Sequence, residues 1–245
     1  MKYSSETAVV ASPVVHDGAV YAGRDDGNVL ALDADVGSLD WLVECGSPVY
    51  ADLTYLTAED LVYVGAKNGS IYALDAADGT EAWSRTFSTD ISTTSAVVDD
   101  ERELVYFASN EVVALSTASG EPSWATNFFG ATAGSSPVFD EEYVYVAGAS
   151  GRVYAVANDG RIIHSRPEWE YRTESTVVSD PIVIEGSLIV PALNGSVYVL
   201  AAPSGEELDR ADLPCETRSS PVVVDDELYI GSRSGTVYSF EYTTE

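Results

Sequence analysis

The sequence predicts an all-β protein, a β-propeller of six four-stranded blades of about 41 residues each. Three observations support this fold: a pair of apolar strands that recurs six times, Gly, Asn and Asp at the turns between them, and tryptophans at a fixed distance after the pair. The apolar residues show no sustained helical period, so no helical layer is expected.

The first strand of each recurring pair ends in a small residue or a glycine. The recurring positions are Tyr21, Tyr63, Tyr106, Tyr145, Val190 and Tyr229, spaced by 42, 43, 39, 45 and 39 residues. A second apolar strand follows each of them, as in Asn28–Asp33 of the first copy. Turns such as Asn68-Gly69 supply residues that tolerate a positive φ between the two strands. The spacing therefore predicts one blade per copy.

The second copy shows the four predicted strands most fully. They span roughly Asp52–Leu56, Leu61–Gly65, Ser70–Leu74 and Glu81–Thr86, and are rich in the Val, Tyr and Ile that favour strands.

The two ends of the chain are expected to meet. The sixth copy stops at Glu245 after its third strand, and alignment of Ser12 with Ser95 places Met1–Ser5 in an outer strand. We therefore predict that the N-terminal segment completes the last blade and closes the ring, as one domain of residues 1–245. A piece of a larger propeller is the alternative.

The stretch between the third and fourth strands carries the most specific motif. Ala73-Leu74-Asp75-Ala76-Ala77-Asp78-Gly79-Thr80-Glu81-Ala82-Trp83 is one copy, and the copies ending at Trp41 and Trp124 match it. This motif resembles the tryptophan-docking motif of pyrroloquinoline-quinone (PQQ)-like propeller repeats. The resemblance implies that Trp41, Trp83 and Trp124 dock neighbouring blades, with Gly37, Gly79 and Gly120 at the hairpins. The fourth and fifth copies depart from it, with Ser165 and Asp209 near the tryptophan position.

The resemblance implies two functional classes. Some members of the family are quinoprotein dehydrogenases, which carry adjacent cysteines and a calcium ion at the quinone. Others resemble BamB, an assembly scaffold without a cofactor. Here Cys45 and Cys215 are far apart in sequence and are expected to be free thiols. We therefore expect a BamB-like, non-catalytic scaffold without a cofactor or metal. A PQQ- or calcium-dependent enzyme, or a propeller that binds a small molecule, is the alternative.

The charge balance restricts the partners. The chain has 40 acidic and 12 basic side chains, a net charge of −28, and its only lysines are Lys2 and Lys67. Acids spread along the whole chain predict a protein adapted to high salt, and such a surface repels nucleic acid and anionic membranes.

No apolar run is long enough to span a membrane, and no export signal is visible. We expect a monomer with a protein partner. Without a signal the chain is expected in the cytoplasm; removal of one would place it outside that compartment or at the envelope.

Two groups of residues are candidates for binding that partner. The long gap between the fourth and fifth copies gathers Arg166, Trp169, Tyr171 and Arg172, which are residue types that often anchor interfaces. Alternatively, Trp169 replaces the missing docking tryptophan from a shifted position. The second group is a set of cations in the turns after the second strands or at the start of the third strands, namely Arg24, Lys67, Arg152 and Arg233. Solvated turn residues are the alternative for these.

Overall fold

The computed structural model describes residues 3–87, 94–126, 133–159, 166–224 and 227–241, and the backbone of residues 163–164. Throughout these ranges the regular structure consists of β-strands. The strands of the first two sheets are β1 (Val14–His16), β2 (Ala19–Gly23), β3 (Asn28–Asp33), β4 (Leu39–Glu44), β5 (Thr54–Leu56), β6 (Leu61–Gly65), β7 (Ser70–Asp75) and β8 (Glu81–Thr86). Each of the two sheets is a four-stranded antiparallel meander in chain order.

The later sheets follow the same plan with some departures. Their strands are β9 (Val97–Asp99), β10 (Leu104–Ala108), β11 (Val112–Ser116), β12 (Pro122–Thr126), β13 (Val138–Phe139), β14 (Tyr143–Ala147), β15 (Arg152–Ala157), β16 (Ile163–His164), β17 (Trp169–Arg172), β18 (Ile182–Ile184), β19 (Ser187–Pro191), β20 (Ser196–Ala201), β21 (Glu207–Asp212), β22 (Val222–Val224), β23 (Glu227–Gly231) and β24 (Val237–Glu241). The sheet orders are β16-β12-β11-β10-β9, β13-β14-β15-β17, β18-β19-β20-β21 and β22-β23-β24.

The chain is therefore a β-propeller with six sheets, as the repeat predicts. Two sheets differ from the predicted four strands. The third has a fifth strand, β16, which pairs in parallel with β12, and the last has three strands among the described residues. The strands predicted for the second copy match the observed ones to within two residues. Closure of the ring by the N-terminal segment stays a prediction.

The chain divides into two compact units, Met1–Ser123 and Trp124–Glu245, and β12 spans the boundary. In the first unit, one core cluster contains Val29, Val62, Val64 and Leu74, all buried. These residues belong to second and third strands, which are the central strands of their sheets. Burial of both sheet faces explains why these strands are almost continuously apolar. That the chain forms a single domain stays a prediction.

Two core clusters lie in the second unit among the residues that the structure describes. One joins the fourth and fifth sheets around Tyr145, Val153, Leu188 and Tyr198. The other joins the fifth and sixth sheets through residues that include Ile189 and Leu228. The opposite face of the sixth sheet is exposed, and Val237 keeps 70% of its surface in solvent. The sixth sheet is thus packed on one face only among the described residues.

Candidate partner-binding site

The docking tryptophans occupy one repeated position. Trp41 lies opposite Ala31 on β3, and Trp83 lies opposite Ala73 on β7, each beside a register shift in its strand pair. The indole Nε1 of Trp41 donates a hydrogen bond to the Ala76 carbonyl (2.9 Å), and that of Trp83 donates to the Thr117 carbonyl (2.6 Å). Each ring therefore belongs to one sheet and bonds the third-to-fourth-strand turn of the next.

The turn glycines permit this close approach. A Cβ at Gly79 would lie 2.8 Å from Cε3 of Trp41, and one at Gly120 would lie 2.5 Å from Cε3 of Trp83. Both glycines also have a positive φ, as does Gly37 of the first sheet. A side chain at Gly79 or Gly120 would therefore both strain the turn and collide with the indole. In the second unit, Trp124 is buried and its Nε1 donates to Asn158 Oδ1 at 3.3 Å.

Trp169 takes the same position in the fourth sheet. It lies opposite Ala155 on β15, its Nε1 donates to the Ala202 carbonyl (2.9 Å), and Gly205 faces its ring as Gly79 faces Trp41. The expected departure at Ser165 falls outside the described residues, and the docking position belongs to Trp169. Trp169 thus has the geometry of a shifted docking tryptophan, which is the alternative to a role at the interface.

Tyr171 is also engaged within the unit. Its side chain lies on the face of β17 opposite the outward side chains. Its ring contacts that of Tyr198 edge to face, with 5.7 Å between the centroids. Its hydroxyl donates to Glu207, and burial together with this carboxylate raises its pKa. The ring therefore contacts the fifth sheet, which leaves little of it for a partner. In the fifth sheet the docking position holds Asp209, opposite Val199, as the sequence predicts.

Arg24 is held in the first unit and is a poor candidate for a partner contact. Its guanidinium bonds Thr7 Oγ1 at 3.0 Å and pairs with Asp26, and only 12% of its side chain is exposed. Lys67 differs from Arg24 in its exposure. Lys67 is exposed, and its ammonium lies 5.7 Å from the centre of the Tyr50 ring. The connector between the first two sheets joins their turns, because Val49 bonds the Arg24 carbonyl and Lys67 bonds the Pro48 carbonyl.

Arg166 and Arg172 remain as exposed cations of the second unit. Arg166 precedes the start of β17 and Arg172 ends it, so they lie toward opposite ends of the outermost strand of the fourth sheet. Arg172 is the cross-strand neighbour of Arg152, which pairs with Glu170 at 2.6 Å. Within the described part of the chain, no carboxylate lies within ion-pair distance of Lys67, Arg166 or Arg172. On so acidic a chain, these side chains are available to a partner.

Arg233 lies beside a cleft that the sequence did not indicate. Its side chain is 62% exposed and pairs with Glu216 at 3.1 Å. The cleft has a volume of about 570 Å³, and Asn194, Cys215 and Arg233 are among its lining residues. Cys215 and the buried Cys45 are both free thiols, as expected. No sequence motif marks this cleft, since it forms where two turns and a connector meet.

In residues 3–241, apart from the gaps given above, no three His, Cys, Asp or Glu side chains are placed to hold a metal ion together. The same ranges contain no helix with the length and apolarity needed to cross a bilayer.

The six sheets share a meander of consecutive antiparallel strands, and the indoles of docking tryptophans bond to the turn of the next sheet. These two features define the class of protein as a PQQ-like β-propeller. A family model described as outer membrane protein assembly factor BamB matches residues 2–137 and 111–244. The chain belongs to this family.

Solved structures extend the comparison. BamB from Moraxella catarrhalis is 20% identical, with a TM-score of 0.64 over 98% of this chain and 87% of that one. The computationally designed Ika8 protein is 18% identical, with a TM-score of 0.81 over 97% and 72% of the two chains. Quinohemoprotein alcohol dehydrogenase from Comamonas testosteroni is 17% identical, with a TM-score of 0.68 over 91% and 51%. These likenesses show the fold alone.

The curated relative shares only a short stretch. The beta-alanine-activating enzyme of Danio rerio is 34% identical over 84 residues, which is 31% of this chain and 7% of that protein. The chain therefore matches a small part of this relative's length.

Proposed function

We propose that this propeller is a non-catalytic scaffold that binds a protein partner through the outer strand of its fourth sheet. The observation that carries the proposal is the exposure of Arg166 and Arg172 without a carboxylate partner among the described residues. Arginine forms bidentate hydrogen bonds with carboxylates and is enriched at protein interfaces. Membership of the BamB family supports the scaffold role, because assembly factors act through other proteins.

The partner surface is expected to present carboxylates at the spacing of the two arginines. Glu168 and Glu170 lie between the two arginines and also point outward, and Arg152 already pairs with Glu170. We call the outward-facing side chains of residues 166–172 the strip. The strip therefore has a basic residue toward each end and acidic residues between them. A partner with the reverse order of charges would fit it best.

The test uses a photo-cross-linking residue at Glu168 and, as a positional control, at the exposed Glu44 of β4. Both proteins are expressed in their native host at its own salt concentration. We expect one partner to be cross-linked from position 168 and not from position 44. Arg166→Gln with Arg172→Gln should abolish this adduct, since only charge and the forked donor are removed.

Arg85→Gln is the matched control variant. Arg85 also lies on an outer strand, β8, but is already paired with Glu121. The Arg85→Gln variant should keep the adduct that forms from position 168. Equal yield from the double variant and the wild type, or the same adduct from both positions, would contradict the proposed interface.

A further inference from the structure

The first unit contains a cavity that the proposed interface does not use. It has a volume of about 190 Å³ and lies where the turns of the first two sheets meet. Ala19, Tyr21 and Trp41 of the first sheet line one side, and Ala76 of the second sheet lines the other. At about 30 Å³ per water in the liquid, this space could hold roughly six waters or a small organic group.

Ala19 is smaller than the residues at the equivalent position of the second, third and fourth sheets, whereas the fifth sheet has the similarly small Ser187 there. The register of the strand pairs makes Ala19 equivalent to Leu61, Leu104 and Tyr143, since each begins the second strand of its sheet and faces the end of the third. Likewise, Thr117 stands in the third sheet where Ala76 stands in the second, and its hydroxyl donates to Glu59 at 2.9 Å.

Aromatic rings form part of the wall. The hydroxyl of Tyr21 and the Nε1 of Trp41 both bond the Ala76 carbonyl, at 3.2 and 2.9 Å, so their polar tips are already used. His16 also lines the cavity, and its ring stacks on Tyr55 with 3.9 Å between centroids. The rings are thereby held in fixed positions. Fixed aromatic walls attract cations through the negative potential of the ring faces.

Three carboxylates complete the lining. Asp17 follows β1, Asp40 lies on β4 and Asp60 precedes β6, so they line the cavity from three different elements. Asp60 also accepts a hydrogen bond from the Tyr55 hydroxyl. Among the described residues that line it, none is a lysine or an arginine. The pKa of Tyr21 is raised, first by burial and then by Asp60, Asp17 and Asp40, which reflects the negative potential at this place.

From this combination we infer that the cavity binds an organic cation of the guanidinium or alkylammonium type. A guanidinium has five N–H donors in a plane, so it can reach carboxylates on separate elements while its face stacks on a ring. The cation can come from two sources, a free small amine or the basic side chain of another protein. The inference does not depend on the interface at β17, which lies in the other unit.

The experiment measures binding by titration calorimetry at constant ionic strength in KCl. The probes are N-acetyl-arginine amide, which represents a protein side chain, and agmatine, which represents a free amine. N-acetyl-citrulline amide is the matched neutral control. We expect at least one cationic probe to bind with about tenfold or greater preference over citrulline, because a charge-assisted hydrogen bond is about twice as strong as a neutral one. The tighter of the two cations identifies the source.

Variants then locate the binding. Ala19→Leu should abolish binding, because the larger side chain would occupy part of the space that Ala19 leaves open in the cavity wall. Asp17→Asn with Asp60→Asn should weaken it about tenfold or more, and asparagine suits the positive φ of both positions. Asp35→Asn, at an exposed turn outside the cavity, should leave it unchanged.

Two outcomes would overturn the inference. One is cationic probes that bind no better than citrulline. The other is binding that Ala19→Leu and the double Asn variant leave intact. Thermal unfolding of each variant shows whether it is folded, and the double Asn variant decides the matter if Ala19→Leu does not fold.

Discussion

Single residues carry much of the contact between sheets. The Trp83 side chain is buried, donates one hydrogen bond to the Thr117 carbonyl and packs against Gly120 of the next sheet. The ring of Tyr63 also meets it at 5.8 Å between centroids, as Tyr21 meets Trp41 and Tyr145 meets Trp169. One aromatic side chain thus joins its own sheet to a turn of the following one.

Trp83→Ala should lower the free energy of unfolding by about 3–5 kcal/mol, the usual cost of removing a buried large aromatic ring. Chemical denaturation at high salt measures this change. Trp83→Phe should cost less, since it keeps a ring while losing the bond to the carbonyl. An alanine variant as stable as the wild type would exclude Trp83 from the core.

The two cysteines should differ in reactivity. Burial, with a smaller contribution from Glu81, raises the pKa of the Cys45 thiol to about 12, whereas Cys215 is partly exposed. The thiolate is the reactive form, so at pH 8 only about one Cys45 in 10⁴ is ionised. We expect Ellman's reagent to modify one thiol per native chain rapidly and two after unfolding. Cys215→Ser should remove the rapid reaction; rapid modification of that variant would contradict the burial of Cys45.

At the scale of the strand, the sequence predicted the fold well, because the strand pattern is local. Alternating and continuous apolar runs bounded by Gly and Asn turns mark each strand without knowledge of its neighbours. The sequence leaves the shift of the docking position to Trp169 open, because the longer connector separates the motif from its strand. Only the pairing of β15 with β17 fixes that position.

The candidate site was less predictable than the strands. Arg24 and Lys67 look alike in sequence, and only the positions of Thr7, Asp26 and Tyr50 separate the held cation from the exposed one. Ala19 lines the cavity beside Trp41, and it is unremarkable until the register equates it with Leu61. Such properties depend on neighbours that are distant in the chain.

The sixth sheet should be the least protected part of the second unit. It has three strands among the described residues, and Val222, Val224 and Val237 are exposed on one face, whereas β19 is buried throughout. Local opening is cheapest where few apolar contacts are lost. Hydrogen exchange at high salt should therefore be faster for the amides of β23 and β24 than for those of β19 and β20. Equal protection factors would show that something covers the open face in solution.

The whole molecule carries a net charge of −28, and this charge should make its folding dependent on salt. With 12 basic side chains beside 40 acidic ones, most carboxylates have no cation to offset their mutual repulsion. At 1 M salt the Debye length is about 3 Å, whereas at 0.01 M it is about 30 Å, which is long enough for most of these charges to repel one another.

We therefore expect the folded state at molar KCl and a loss of structure at millimolar KCl. Circular dichroism follows the strands, and the Cys45 thiol provides a second probe because its reactivity should rise as the core opens. Sucrose at low salt serves as a control, since it favours compact states without screening charge and should restore structure less fully than KCl. Identical spectra and thiol reactivity at both KCl concentrations would mean that the acidic surface is tolerated without screening, and the prediction of adaptation to high salt would be wrong.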